Sequence, residues 1–446
     1  MRLRHWLHQP VDAASLAVFR MAFGGLMAWD VWRYVSLGRI ESYYLEPRFL
    51  FTYPGFEWVQ PWPGFGLHLL FLALVALAIC IAFGYRTRLA SALFVIGFAY
   101  VFLLDQPHYL NHFYLIILLA GLLAVVDAGR LWSIDAWLDP RKHSDTAPRW
   151  MLWTILLQLV IVYVYAGVAK LNWDWLRGEP LTTWLSDRTD FPIIGSSFTN
   201  PGVGLAASYG ILLLDLFLAP LLLWRRTRIV AFCLAIAFHA FNVRLFSIGV
   251  FPWMMMAATT LFLDPSWPRR LLGLPKAAAS PTHACTIPMG IATFLTAHFA
   301  LQLLIPLRHF AYPGNVSWTE EGHRFAWHMK LRSKDGDASF VVVETGTGRR
   351  FAVDLDAHLT EKQQDEMSGR PQMLRQFAAH LADLYREIGI REPKVFVDTS
   401  VSLNGRTPQP LVDPTLDMAA QPLSLFPSSW ILPLHDDHSS SSSSSS

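Results

Sequence analysis

Long apolar runs recur between Ala13 and Pro306 and give way, after Arg308, to a stretch of ordinary soluble composition. About 20 mostly apolar residues suffice to cross a hydrocarbon layer as a helix, which satisfies its own backbone polar groups there. Nine candidate spans follow, at 13–34, 65–84, 89–104, 109–126, 150–169, 203–224, 229–241, 245–263 and 287–305. The third and seventh are short. The eighth opens on Phe246-Ser-Ile-Gly-Val-Phe-Pro252, whose glycine and proline can break a helix, so the alternative is eight spans with a re-entrant piece. Composition agrees, since only 16% of the 446 residues are charged, against roughly 25% in soluble domains.

The distribution of basic residues orients such a bundle. With Arg2 and Arg4 at the cytoplasmic face, the connections holding Arg86 and Arg88, Arg130 to Arg149, Arg225 to Arg228, and Arg269 to Lys276 all fall on that same side. The alternate connections are poorer in Lys and Arg, which is the positive-inside pattern. The expected fold is therefore an all-α polytopic membrane bundle of eight to nine spanning helices over 1–306, carrying the functional site, and an α+β extracytoplasmic domain over 307–434. A disordered Ser-rich tail is expected at 435–446. The expected address is the inner membrane of a bacterium or the endoplasmic reticulum of a eukaryote.

A net charge of +2 with no basic, aromatic-interleaved tract excludes nucleic acid as an expected partner. Cys80, Cys233 and Cys285 are too far apart for a zinc site and read as apolar fillers, so no metal is expected. In the last third, 325–331, 339–344 and 350–355 alternate like strands, and Thr345-Gly-Thr-Gly348 suits a hairpin connection. The segment 372–388 has helical apolar spacing, 394–403 alternates again, and Asn404-Gly405 marks a turn.

Ionisable groups inside spans are costly and therefore informative. Asn111-His112 opens the fourth span, Lys170 closes the fifth within Tyr163-Val-Tyr-Ala-Gly-Val-Ala-Lys-Leu-Asn-Trp-Asp174, and His239-Ala-Phe-Asn242 lies in the seventh. At 1.5 Å per residue Lys170 falls about 30 Å from Trp150, at the outer boundary, level with His112, and His239 lies about 15 Å along its helix. A pocket opening outward, floored by His239 and rimmed by His112 and Lys170, is permitted. Each residue also has a plain structural role open to it: a snorkelling anchor for Lys170, a helix cap for His112, a hydrogen-bonded core position for His239. Gly167 and Ala166 allow a neighbouring helix to come close, and the aromatics around them can bury the amine. A desolvated lysine can act as a general base near neutral pH. Arg370, Gln372 and Arg375 could line a substrate surface or a solvated helix face.

These segments resemble vitamin K-dependent γ-glutamyl carboxylase, within the wider family named for horizontally transferred transmembrane domains. The resemblance runs through Ala14-Ser-Leu-Ala-Val-Phe-Arg20, Tyr100 to Asp105, Asn111 to Leu115, Ala166 to Leu171 with Asp174-Trp175, and Leu245 to Gly249. It continues through Trp318, Trp327, Val401-Ser-Leu-Asn404 and Asp413-Pro414. It implies that vitamin K hydroquinone, or a menaquinol-type quinol, is deprotonated and oxygenated by O2 to a strong base, which removes the γ-proton of a peptidyl glutamate before CO2 adds. It assigns the quinol base to Lys170 and assistance in carbanion formation to His112; Asn111 and His239 are expected beside them as cofactor-pocket residues. The implied partners are a peptidyl-glutamate protein substrate, the bilayer and its quinone. The animal enzymes carry two adjacent lysines where this chain has Ala169-Lys170. Two other readings stay open: a quinol oxygenase that does not carboxylate, and a non-catalytic membrane receptor or assembly factor.

Overall fold

The computed structural model describes residues 2–246, 248–278, 287–424 and 426–435. The Ser-rich tail beyond His435 and Cys285 lie outside the described residues. Among these residues, seven helices are long and apolar enough to cross a membrane. They are α1 (Ala14–Ser36), α2 (Gly66–Phe83), α3 (Thr87–Leu104), α5 (Arg149–Ala169), α6 (Pro201–Leu223), α7 (Arg228–Leu245) and α9 (Met289–Leu304), the last extended by a 3-10 turn to Ala311. Two shorter apolar helices complete the bundle, α4 (Asn111–Val125) and α8 (Phe251–Thr259), the latter prolonged as a 3-10 turn to Phe262. The short members are thus the fourth and eighth, whereas the third and seventh are full length.

Local chemistry explains the eighth helix. Gly249 takes φ +64°, a conformation glycine adopts without steric cost, and Pro252 sits in the first turn of α8, where its missing N–H breaks no helical bond. The Gly and Pro therefore set where the helix begins instead of breaking it. α8 runs back through the bundle, because the short helix that follows places Arg269 on Asp12 at the start of α1 and on Asp145 just before α5. In the same way Arg88 at the start of α3 donates to the Ala124 carbonyl at the end of α4. The helices consequently alternate in direction, and the connections holding Arg86, Arg130, Arg228 and Arg269 gather at one end. The last third of the chain docks on the other.

That last third is α+β. Three antiparallel strands, β1 (Lys334–Glu344), β2 (Arg350–Ala352) and β3 (Pro393–Leu403), lie in the order β2-β1-β3, with Phe340 opposite Val397 and Val342 opposite Val395. α11 (Pro371–Glu387), preceded by α10 (Glu361–Ser368), covers the sheet with buried Leu374, Phe377 and Leu381. Asn404 and Gly405 both have positive φ, as a two-residue hairpin-type turn requires. The expected strand at 325–331 does not form. Phe325, Trp327 and Lys330 take φ of +62°, +59° and +51°, because the rings of Phe325 and Trp327 are pinned against Tyr114 at 4.9 and 5.1 Å and the backbone must turn to seat both.

The two regions interlock. Phe49 and Phe51, from the connection between α1 and α2, insert beside Phe377, and Asp105 at the end of α3 accepts from the Phe51 backbone N–H at 2.7 Å. Cys80 is half-buried and Cys233 exposed, both as free thiols. α9 lies on the rim, held by polar contacts: Gln302 donates to Tyr114 at 2.7 Å, and Gln158 donates to Gln302 at 3.3 Å.

Candidate functional site

Lys170 caps the end of α5, and its ammonium is buried. Nζ lies 2.8 Å from Asp215 Oδ2 on α6, donates to the Ala166 carbonyl at 3.2 Å, and sits 5.2 Å from the centre of the Trp175 ring. This approach is possible because Gly167 faces α6: a Cβ there would lie 2.8 Å from the Leu216 backbone nitrogen. The glycine brings the lysine-bearing turn against the one acidic residue of α6. The structure thus removes the snorkelling role that a helix-end lysine ordinarily has, since Lys170 turns into the protein.

The pair opens onto an apolar cavity of about 660 Å³. Its walls include Val162, Ala166, Leu181, Trp184, Ile211, Phe246, Ile248, Phe251 and Met255. His239 and Asn242 of α7 line the same space. The His239 ring is fixed through Nε2, 3.3 Å from the Tyr163 hydroxyl, which also meets Thr259 Oγ1 at 3.0 Å. Its Nδ1 is buried without a hydrogen-bond partner among the described residues.

His112 faces a second, polar chamber of about 1000 Å³. Asn111 lies at its edge with its amide committed: Oδ1 accepts from the Tyr109 hydroxyl and Nδ2 donates to the His328 carbonyl, both at 3.0 Å. The His112 ring packs 4.8 Å from Phe113 and 5.8 Å from Phe251. Lys170 and His239 therefore share one cavity while His112 and Asn111 border the next, in place of the single pocket the sequence permits. Ile248, Phe251, Met329 and Lys330 line both.

The rest of the polar chamber comes from the strained loop and the docked domain: Glu320, His323, Arg324, His328, Lys330, Arg332, Glu366 and Arg370. Burial pushes the His328 imidazole down to about 3 and holds His323 well below the usual histidine range. Burial alone would raise the Glu320 carboxyl, but Arg332, His323, Lys334 and Arg370 hold it below the ordinary range. The histidines are therefore neutral at pH 7, and the lining residues leave cations in excess over Glu320 and Glu366. Arg332 grips Glu320 at 2.6 Å and Arg370 pairs with Glu366. Among the described residues, each arginine keeps a buried donor without an acceptor, Nε of Arg332 and Nη1 of Arg370. Arg375 donates to the Gln421 carbonyl and Gln372 to Ser428, so these two are tied into the domain and only Arg370 of the three reaches the chamber.

A clamp holds the two regions in register. Asp174 receives Arg406 through both oxygens, at 2.6 and 3.0 Å, and Asn404 at 2.8 Å. Asp215 went unnoticed in the sequence although a lone acid in the run Leu212-Leu-Leu-Asp-Leu-Phe-Leu218 is a signal by itself. Of the chamber's arginines only Arg370 is among the sequence candidates, and Arg324 and Arg332 carry no such signal, because charged residues in a soluble segment are ordinary.

Fold and site together define a polytopic helical membrane protein whose soluble α+β domain closes over a buried polar pair and a cation-lined chamber. The model of the HTTM domain matches residues 8–267, and that of the vitamin K-dependent gamma-carboxylase lumenal domain matches residues 288–437. The chain belongs to the HTTM-domain family as a gamma-carboxylase-family protein. No solved structure matches it.

Proposed function

We propose that this chain is a quinol- and O2-dependent γ-glutamyl carboxylase in which the apolar cavity takes the quinol headgroup and the polar chamber takes the glutamyl side chain. The observation that carries the reading is the shared wall: Lys170 lines one space, His112 the other, and Ile248, Phe251, Met329 and Lys330 line both. A flat apolar ring with oxygen at its edges suits a cavity whose polar side chains are few, and His239 Nδ1 is a donor or acceptor for one such oxygen. When bound, vitamin K hydroquinone with O2 supplies the strong base that removes the γ-proton, and CO2 supplies the new carboxyl.

Lys170 is the group that takes the hydroxyl proton. Asp215, 2.8 Å away, is where the lysine can pass the proton it already holds, and a pair buried this deeply has little solvation to lose by becoming neutral. Trp175 and the cavity walls exclude water from that exchange. In the next chamber Arg332 and Arg370 turn their unused donors to the glutamyl carboxylate, and bidentate, charge-assisted bonds fix its plane. His112, buried and with no side-chain hydrogen bond among the described residues, stands beside the γ-carbon so oriented and assists carbanion formation there while the strong base takes the γ-proton. With the basic loops on the cytoplasmic side, both chambers open outward, where a secreted substrate arrives.

Purified protein in lipid discs, given vitamin K hydroquinone, a glutamyl peptide and labelled bicarbonate, should fix label into peptide and release the epoxide. Lys170→Ala should lose both and His112→Ala mainly the fixation. Epoxide without fixed label in the unaltered protein would leave a quinol oxygenase, and neither product would sink the proposal.

A further inference from the structure

Lys330 is the cation the cavity acquires from outside the bundle. It belongs to the loop between α9 and β1, its backbone is in the left-handed region at φ +51°, and it lines both chambers. A non-glycine residue held there is strained and persists only where the surroundings impose it. Its Nζ lies 5.1 Å from the centre of the Trp184 ring and 5.3 Å from that of Phe246. Both rings line the apolar cavity and neither lines the polar chamber, so the ammonium is turned toward the space that Lys170 shares. Lys330 has no carboxylate partner among the described residues, while Arg332 two positions on is committed to Glu320. The aromatic faces attract the ammonium but bring no countercharge.

We infer that Lys330 is an anion-binding residue of the apolar cavity, holding a negatively charged ring oxygen of a quinone-type ligand at the wall away from the bundle interior. The inference rests on the quinol reading above and adds a residue to it: Lys170 is fixed to Asp215 and can accept a proton, whereas Lys330 has its charge free to hold the oxygen that loses one. Because Lys330 stands in the wall between chambers, the oxygen it holds is also the one nearest the glutamyl side chain. A merely structural lysine, clipped to two rings for packing, makes no distinction between charged and neutral ligands.

The test is binding, read by quenching of tryptophan fluorescence in the full chain in lipid discs. The probes are 2-hydroxy-1,4-naphthoquinone, anionic at neutral pH, and menadione, a neutral ring of the same size. Lys330→Met should weaken the anionic probe at least tenfold and leave menadione within twofold, and Lys330→Arg should keep the preference for the anion. Equal loss of both probes in Lys330→Met, or no loss of either, overturns the assignment. An unaltered protein that binds neither probe removes the quinol reading itself. One that binds both, with no dependence on Lys330, removes only the present inference.

Discussion

Lys170 Nζ and Asp215 Oδ2 stand 2.8 Å apart on neighbouring helices, each side chain less than a tenth exposed. Neither residue fits a membrane interior alone, and together they form a buried ion pair whose worth lies in what it can exchange. Removing one partner leaves a buried charge and costs about 3–5 kcal/mol, whereas replacing both by apolar side chains is often neutral. Lys170→Met alone should therefore lower the thermal midpoint, and Lys170→Met with Asp215→Leu should restore it without restoring turnover. Recovery of epoxide formation in the double variant would show that the pair only packs.

Asp215→Asn keeps the shape and a hydrogen-bond acceptor but cannot take a proton. Quinol turnover should fall by about 100-fold, the lower range for loss of a general acid–base partner, with the KM for peptide unchanged. Faster turnover would mean that Asp215 restrains the lysine instead of serving it.

Gly167 sets the distance between α5 and α6. A Cβ there meets the Leu216 backbone at 2.8 Å, and overpacking of this kind costs about 1–3 kcal/mol. Gly167→Ala should lower the unfolding midpoint and the activity together. Gly121→Ala on α4, where a Cβ would meet nothing within 4 Å, is the control and should do neither.

Asp174 is the acceptor for three donated bonds from Arg406 and Asn404. Asp174→Ala takes the carboxylate away from a partly buried guanidinium, at a cost of about 3 kcal/mol. Hydrogen exchange should quicken at 403–412, while the centre of α11, buried against the sheet, keeps its protection. Unchanged exchange at the hairpin would show that the domain is held elsewhere.

Asp105 lies outside the spans, and burial pushes its carboxyl up to about 8, with its bonds to the Phe51 backbone and Gln363 opposing. The folded state therefore binds a proton that the unfolded state, at about 3.9, releases. Stability contributed here is full below pH 4 and falls as pH rises to 8, by up to about 1.4 kcal/mol per unit. Asp105→Asn retains an acceptor for Phe51 and should flatten that part of the stability profile. A profile of unaltered slope would assign the dependence to other groups.

Much of this architecture was legible from apolar period alone. The spanning segments, the strands around Ser339 and Lys394, the helix at 372–388 and the Asn404-Gly405 turn are local patterns, and the structure places elements at each. The strand expected at 325–331 failed because alternation there serves two rings that dock on Tyr114, a contact between residues more than 200 apart in the chain. Lys170, His112 and His239 stood out as polar residues in apolar surroundings. Asp215 carries the same signal, Arg370 is distinguished in the sequence only as one of three polar positions on a helix face, and Arg332 and Lys330 carry none.

The sequence by itself determined that this chain crosses a membrane and carries an α+β domain, because burial of backbone in hydrocarbon and the periods of helix and strand are properties of short segments. It also supplied the polar residues that such a setting makes conspicuous. Only the tertiary structure decided that Lys170 pairs with Asp215, that His112 faces a different space, and that Lys330 stands between the two. Those relations depend on how closely α6 approaches Gly167 and on where the docked domain sets its loop, and side-chain distances of a few ångströms across separate elements are not encoded in any one segment.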